Sequence, residues 1–288
     1  MPPPAQLGAK LAVGGSADIF AWGERRVIKR FRRGTRQAAA LQEAQCTQAA
    51  RDAGAPAPQT FDVVEAEGEP GVIFERVEGG SLLEALLARA QDPVSVGRCL
   101  AQLHARVHAL RSAQLPAQRA RLQELLAHAP VDDDARRLVA ITLERLPSGD
   151  SVCHGDFHPG NVLLGAAGPV LIDWYDAVQG CSTADVAQTS LLLLHARPPG
   201  TADADMLPQI DGLRRSVRDA YLSHYRALND VDEQELADWE LVMAAARLAR
   251  NRVGAEHSAL MTVVRRHLRR LQSTAEPVIH FRFCANGH

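Results

Sequence analysis

Short apolar runs separated by small residues occupy the start of the chain. Three such runs within residues 10–31 flank the turns Gly14-Gly15-Ser16 and Gly23-Glu24, a spacing typical of β-hairpins. Residues 35–53 are rich in alanine and glutamine, lack proline and stop at Gly54, which predicts a helix. The first 77 residues therefore predict one helix and five strands, with the strands at 10–13, 18–22, 26–31, 60–65 and 71–77.

Beyond residue 77 the apolar residues follow a helical period. Glu78-Gly79-Gly80-Ser81 marks a hinge whose serine can cap a helix. The apolar residues from Leu100 to Leu110 fall on one helical face. One pair of short strands, at 162–164 and 170–172, interrupts this pattern. The first predicted helix lies at 81–89, and the second begins at residue 94. The others lie at 116–128, 132–146, 183–195, 204–228, 233–253 and 256–271.

This order of elements predicts an α+β fold with two lobes. A small antiparallel sheet lobe with one helix spans residues 1–77, and a large, mainly helical lobe spans residues 78–288. Typical domains have about 150 residues, so this length leaves open whether the lobes are two domains or parts of one.

The composition is that of an ordinary globular protein, with 46% apolar residues, 23% charged residues and a formal net charge of −2. That net charge gives no general attraction to nucleic acid or to an anionic membrane. The longest leucine run covers only residues 191–194, and the first ten residues lack the apolar core of a secretory signal. The five cysteines form no C-x-x-C pair. We expect a cytoplasmic protein with reduced thiols and with neither nucleic acid nor a membrane as partner. The sequence leaves its oligomeric state open.

The segment from Cys153 to Asn161 carries the strongest chemical signal. Its glycines and proline exclude a regular helix, so its polar residues lie on a loop beside the short strand pair. Phosphoryl transfer from a nucleotide needs a carboxylate to orient the attacking hydroxyl and oxygen ligands for Mg²⁺. The spacing from His154 to Asn161 matches the catalytic loop of protein kinases. It predicts Asp156 as the catalytic base, Asn161 as a metal ligand, and Asp173, after the next apolar run, as the second metal ligand.

The N-terminal region supplies residues that can bind a nucleotide. Only two of the 32 basic residues are lysines, and one of them, Lys29, ends an apolar strand from which its ammonium can reach phosphates. Glu43 is the only acidic residue between Arg36 and Arg51 on the following helix, so it is the predicted partner of Lys29. Backbone N–H groups of the Gly14-Gly15-Ser16 turn can approach the phosphates as well.

At these positions the chain resembles the aminoglycoside phosphotransferase and choline kinase-like superfamily. The strings His154-Gly155-Asp156-Phe157-His158-Pro159-Gly160-Asn161 and Leu171-Ile172-Asp173-Trp174 look like its signature, and residues 103–108 resemble its Leu-His helix. The order of motifs follows the family over residues 8–195. The resemblance implies a protein-kinase-like fold and Mg²⁺- and ATP-dependent phosphorylation of a small-molecule hydroxyl, with GTP as an alternative donor.

Two other residues match family positions with structural roles. Asp185 resembles an aspartate that supports the catalytic loop, and His104, on an apolar helix face, is expected to be a hydrogen-bonded core histidine. The glycine turn departs from the pattern, because it is short and lacks a full G-x-G-x-x-G. This departure keeps open a second hypothesis, a catalytically silent nucleotide-binding or interaction module. A protein kinase is disfavoured, because no Ala-Pro-Glu segment follows Asp173.

The acceptor substrate is the least determined part of the function. Residues 181–240 contain 11 acidic residues against five arginines. Acidic walls would favour a cationic acceptor such as an aminoglycoside or an amino alcohol, whereas solvated helix faces would explain the same balance. The sequence does not name the acceptor.

Overall fold

The computed structural model describes residues 7–196, 207–250 and 255–275. Its N-terminal part is an antiparallel sheet of five strands in the order β1-β2-β3-β5-β4. Neighbouring strands pair so that β3 lies in the middle, with Lys29 opposite Ile19 on one side and Val72 on the other. The strands are β1 (Lys10–Val13), β2 (Ala17–Ala21), β3 (Arg26–Phe31), β4 (Thr60–Ala66) and β5 (Glu69–Glu75).

Helix α1 (Gln37–Asp52) packs on one face of this sheet. Its buried alanines, Ala40 and Ala44, contact Phe31 and Val72 in one apolar cluster. Side chains alternate between the two faces of a strand, so Lys29 shares with Phe31 the face of β3 that is turned toward α1. Gly54 follows shortly after the end of the helix. Its φ of +97° is a conformation that glycine adopts without strain.

The rest of the described chain is mainly helical. Ser81 caps α2 together with Glu84 in a capping box, and aspartates cap α3, α5 and α8. One core cluster spans these helices and buries the rings of Trp174, Tyr221 and Trp239. The helices are α2 (Leu82–Leu87), α3 (Pro93–His108), α4 (Gln118–Ala127), α5 (Asp133–Arg145), α6 (Ser182–His195), α7 (Leu207–Leu228), α8 (Glu233–Leu248) and α9 (Ala255–Ala275).

Two small antiparallel pairs of strands frame the polar loop. Strand β6 (Ser151–Cys153) pairs with β9 (Val178–Gly180), and β7 (Val162–Gly165) pairs with β8 (Gly168–Leu171). The predicted pair at 162–172 is confirmed. The apolar pattern does not predict β6 and β9, because each has three residues and depends on pairing with a partner far away in sequence.

The predicted α+β fold with two lobes is confirmed. The division of the chain at residue 77 stays a prediction. The described part of the predicted helix at 204–228 begins at Leu207, and the predicted helix at 233–253 ends earlier, at Leu248. Residues 204–206 and 251–253 lie outside the described ranges. None of the helices in those ranges combines the length and the apolarity needed to cross a membrane.

The packing of α3 against α7 generates a test of the fold. A Cβ at Gly97 would lie 2.6 Å from both the Ala220 Cβ and the Val217 carbonyl oxygen. We expect Gly97→Ala to lower the free energy of unfolding by about 1–3 kcal/mol through overpacking. In the control Gly212→Ala, on α7, a Cβ meets nothing within 4 Å, so better helix propensity raises the free energy by up to about 1 kcal/mol. Urea unfolding measures both changes, and stabilisation by Gly97→Ala would contradict the close helix contact.

Candidate active site

The loop between β6 and β7 is held by the buried carboxylate of Asp185 on α6. Its Oδ2 accepts a hydrogen bond from the backbone N–H of His154 at 2.6 Å, and its Oδ1 accepts one from Gly155 at 3.0 Å. Gly155 has a φ of +79°, and a Cβ there would lie 2.4 Å from the Asp176 carbonyl oxygen, so only glycine fits. These contacts agree with the supporting role expected for Asp185.

Two histidines of α3 complete the hydrogen bonding of Asp185. His104 Nε2 lies 3.0 Å and His108 Nε2 lies 3.3 Å from Asp185 Oδ2. Their Nδ1 atoms lie 2.7 Å from the Tyr221 hydroxyl and 2.6 Å from the Tyr225 hydroxyl, respectively. An ionised carboxylate only accepts hydrogen bonds, so each histidine donates from Nε2 and accepts at Nδ1. Burial opposes ionisation of Asp185, but these histidines outweigh burial and hold the pKa of Asp185 well below its usual range.

His104, His108 and Asp185 also have ligand atoms within 4.8 Å of one another, as metal ligands do. A histidine binds a metal through a nitrogen lone pair. In both rings Nδ1 is engaged by a tyrosine hydroxyl and Nε2 carries the proton donated to Asp185. The three residues therefore form a hydrogen-bonded core group, as expected for His104.

Asp156 and Asn161 lie at the two ends of the loop and contact each other. Asn161 Nδ2 donates to the Asp156 backbone oxygen at 2.9 Å and lies 3.3 Å from Asp156 Oδ2. His158 Nε2 lies 3.7 Å from the same oxygen, and the Asp156 side chain is 31% exposed. Burial alone would raise the pKa of Asp156, but His158, with His154 and Arg247, lowers it to about 2. Asp156 is therefore an ionised, partly accessible carboxylate at neutral pH.

Lys29 lies between two carboxylates that come from distant parts of the chain. Its Nζ donates to Glu43 Oε1 at 2.7 Å and to Asp173 Oδ1 at 2.9 Å. The ion pair expected between Lys29 and Glu43 is thus present, and the Asp173 contact joins positions 144 apart. Burial alone would lower the pKa of Lys29, but the charges of Asp173 and Glu43 raise it. Lys29 is therefore a fully charged ammonium next to the polar loop.

The atoms around Asp173 suit a magnesium ion. Asp173 Oδ1 accepts from Lys29, and the carboxylate is 34% exposed, which leaves Oδ2 for a cation. Asn161 turns its amide nitrogen toward Asp156, so its side-chain oxygen is not the atom that contacts Asp156. Carboxylate and amide oxygens are the ligands that Mg²⁺ prefers. These residues fit the ion predicted from the sequence.

The Gly14-Gly15-Ser16 turn lies at the exposed tip between β1 and β2. Arg32 donates from Nη2 to the Gly14 carbonyl oxygen at 2.6 Å and from Nε to that of Gly15 at 3.0 Å. The structure thus brings together five of the predicted residues, Lys29, Glu43, Asp156, Asn161 and Asp173, in two hydrogen-bonded sets. The turn is hydrogen-bonded to Arg32 and Ala17 instead.

A cleft beside Gly155 contains charged residues that the sequence analysis does not identify. It is lined by Arg121 on α4, Asp176 before β9, Arg247 in the last turn of α8 and Arg250, two residues after that helix. Asp176 Oδ1 accepts from Arg121, and its Oδ2 accepts from Arg250 at 2.6 Å. The arginines belong to no motif, so no sequence signal places them together. Asp176 lies three positions after the predicted metal ligand Asp173. This closeness in sequence is the signal that could have identified Asp176.

The fold and this site define a protein-kinase-like class of protein. A five-stranded sheet with one helix presents Lys29 to Asp173, which follows β8, and the loop between β6 and β7 carries an aspartate and an asparagine. The sequence profile of the APH phosphotransferase enzyme family matches residues 10–231. The chain belongs to this family. No curated protein sequence matches it.

Solved structures share this fold. An aminoglycoside-3'-phosphotransferase of type VIII is similar with a TM-score of 0.55 and 21% identity, over 85% of this chain and 94% of that one. An amicoumacin kinase in complex with AMP-PNP, Ca²⁺ and Ami has a TM-score of 0.57 and 14% identity, over 97% and 93%. The GDP and kanamycin complex of APH(2")-IIIa has a TM-score of 0.53 and 15% identity, over 93% and 95%.

The neutral state of His104 predicts a pH dependence of stability. Burial, and then the neighbouring His108, lowers the pKa of His104 from 6.5 to about 3 against the opposing effect of Asp185. Between these two values the unfolded chain binds a proton at His104 and the folded protein does not, so stability falls as the pH falls. We expect His104 alone to remove about 2 kcal/mol of unfolding free energy between pH 7 and pH 5.

Urea unfolding at a series of pH values measures this effect. His104→Gln should flatten the dependence between pH 7 and pH 5. The control His128→Gln, at an exposed histidine that ends α4, should leave the slope as in the wild type, because that ring is in water in both states. An unchanged slope in His104→Gln would show that His104 is not a neutral buried group.

Proposed function

We propose that this phosphotransferase transfers the γ-phosphate of ATP, with Mg²⁺, to a hydroxyl group of a small molecule. The observation that carries the proposal is the position of Lys29, whose Nζ lies 2.9 Å from Asp173 Oδ1. That contact joins a buried ammonium of the sheet to a carboxylate that follows β8, and this pairing supports a phosphate-binding role for Lys29. The acceptor classes expected from the sequence are an aminoglycoside-like molecule, an amino alcohol or a sugar.

In this proposal Lys29 donates to the α- and β-phosphate oxygens of the nucleotide. Glu43 holds the ammonium in place through its own 2.7 Å contact. In the Gly14-Gly15-Ser16 turn the Gly14 N–H donates to the Ala17 oxygen, so the N–H groups of the other two residues are the ones that would approach the phosphates. Asn161 and Asp173 would hold Mg²⁺, which would neutralise negative charge on the nucleotide phosphates.

Asp156 orients the acceptor alcohol for in-line attack. Asn161 donates to the Asp156 backbone oxygen at 2.9 Å and lies 3.3 Å from Asp156 Oδ2. These contacts hold the Asp156 carboxylate where it can accept the hydrogen bond of the attacking hydroxyl. With a pKa of about 2, Asp156 is a weak base. Its main contribution is therefore to position the nucleophile and to receive the proton as the phosphoryl group arrives.

Two of the similar solved structures support the binding of a nucleotide by this chain. The similar amicoumacin kinase was solved with AMP-PNP and Ca²⁺, and the similar APH(2")-IIIa with GDP. We propose ATP as the phosphate donor for this chain. The thermal shift measurement includes GTP as the alternative donor.

This function predicts that a nucleotide stabilises the folded protein in the presence of Mg²⁺. ATP at a hundred times its dissociation constant stabilises the folded state by about 2.7 kcal/mol, which a thermal shift assay detects. We expect this shift to require Mg²⁺ and to be lost in Asp173→Ala. The control Asp219→Ala, at an exposed aspartate of α7, should behave as the wild type. No shift with ATP or GTP at millimolar concentration would refute the nucleotide site.

The proposed function also predicts the effect of replacing Asp156. We expect Asp156→Ala to reduce phosphate transfer by roughly 10²- to 10⁴-fold while it keeps the Mg²⁺- and ATP-dependent thermal shift. Transfer of labelled γ-phosphate to a panel of aminoglycosides, amino alcohols and sugars measures this. Wild-type turnover retained by Asp156→Ala would contradict the assignment. Nucleotide binding without transfer by the wild type, over a broad panel of alcohols, would favour the silent binding module instead.

A further inference from the structure

The cleft beside Gly155 adjoins the proposed catalytic carboxylate. Gly155 lines the cleft and directly precedes Asp156 in the loop. Arg247 also lines the cleft, and its charge is one of those that lower the pKa of Asp156. An acceptor whose hydroxyl reaches Asp156 would therefore place a neighbouring part of the molecule in this cleft.

Positive charge dominates the cleft wall. Arg121, Arg247 and Arg250 line it, and Asp176 is the acidic residue that the described ranges contribute. Asp176 is shared by Arg121 and Arg250. Arg247 pairs behind the wall with Glu256 of α9. Three guanidinium groups thus face two carboxylates, so the wall keeps an excess of positive charge.

The arginines also keep hydrogen-bonding capacity. A guanidinium has five N–H donors in a planar fork that matches a carboxylate. Arg250 donates to Asp176 at 2.6 Å through one of its nitrogens, Nη1, and its side chain is 38% exposed. The Asp176 carboxylate, which receives two guanidinium groups, shows that this cluster accommodates a carboxylate.

Gln188 provides a second, independent sign of a polar ligand. This α6 side chain lines the cleft and is 7% exposed. Its Nε2 donates to the Gly155 carbonyl oxygen at 3.4 Å, whereas its Oε1 is buried and has no hydrogen-bond partner in the described part of the chain. A buried acceptor without a partner costs free energy. A ligand hydroxyl that donates to Gln188 Oε1 would remove that cost.

The acidic residues counted between 181 and 240 do not supply the opposite charge here. Asp185 lies beneath the loop and binds its backbone. Glu240 lies 3.2 Å from Arg218, and the side chain of Asp219 is 71% exposed. None of the described acidic residues of that segment lines the cleft. The charge balance that favours a cationic acceptor thus has no counterpart at this wall.

We propose that the acceptor carries a carboxylate, which binds to Arg121, Arg247 and Arg250, and that a hydroxy acid is therefore the preferred substrate class. This inference rests on the proposed phosphotransferase function. It predicts that a polyamine acceptor is disfavoured, because the excess positive charge of the wall repels ammonium groups.

The test compares alcohols that differ in one group. Glucose, glucosamine and glucuronate form one set, and glycerol, serinol and glycerate form another. Binding to the wild type saturated with Mg²⁺ and AMP-PNP is measured by calorimetry at constant ionic strength. We expect the carboxylate member of at least one set to bind about tenfold or more tightly than the amine member, as charge-assisted hydrogen bonds do. Binding that shows no carboxylate preference in either set, including no binding at all, overturns the inference.

A matched pair of variants assigns the preference to the cleft. Arg250→Gln should reduce the ratio of carboxylate to amine affinity by about tenfold. Arg226→Gln removes an arginine of α7 that is 38% exposed and lies 3.3 Å from Glu233, and it should leave the ratio unchanged. A general loss of stability would weaken all ligands and would not change this ratio. An equal ratio in Arg250→Gln and the wild type would also overturn the inference.

The same samples separate this inference from the function on which it rests. The Mg²⁺- and AMP-PNP-dependent thermal shift is recorded before any acceptor is added. Its absence refutes the proposed function itself. Its presence without a carboxylate preference refutes only the assignment of the acceptor class.

Discussion

The polar loop between β6 and β7 depends on a negative charge that is buried in the core. Removing a carboxylate from water is costly unless hydrogen bonds replace the water. Asp185 receives them from the backbone of His154 and Gly155 and from the buried rings of His104 and His108. Any shift of the loop would leave part of this charge unpaired in the core. Asp156 directly follows Gly155. The hydrogen bonds from the loop backbone to Asp185 therefore also fix the position of Asp156.

A second charge links the sheet to this loop. Lys29 projects from the central strand β3 and is held by Glu43 on α1 and by Asp173 after β8. Since the ammonium is nearly buried, it needs both carboxylates, and they come from the two parts of the molecule. A nucleotide that bound here would meet an ammonium already placed by the fold, so little ordering of side chains would oppose its binding.

The sequence predicts the parts of this structure that depend on local pattern. Strands with apolar runs, helices with caps such as Ser81, and the spacing of Asp156, Asn161 and Asp173 all carry their signal within a few residues. Lys29 is recognisable because it ends an apolar strand in a chain with two lysines. Strands β6 and β9 carry no such signal, since their stability comes from pairing Ser151–Cys153 with Val178–Gly180. Tertiary contacts decide these elements.

Charge counted along the chain differs from charge presented at a site, and the cleft shows why. Two acidic residues of the described part of 181–240 show this, because Asp185 accepts core hydrogen bonds and Glu240 lies in an ion pair. The arginines that line the cleft come from α4, from the last turn of α8 and from just after that helix, where no motif marks them. Their excess charge has two effects that support each other. Arg247 helps to keep Asp156 ionised against its burial, and the same positive wall attracts the anionic acceptor that we propose for the site.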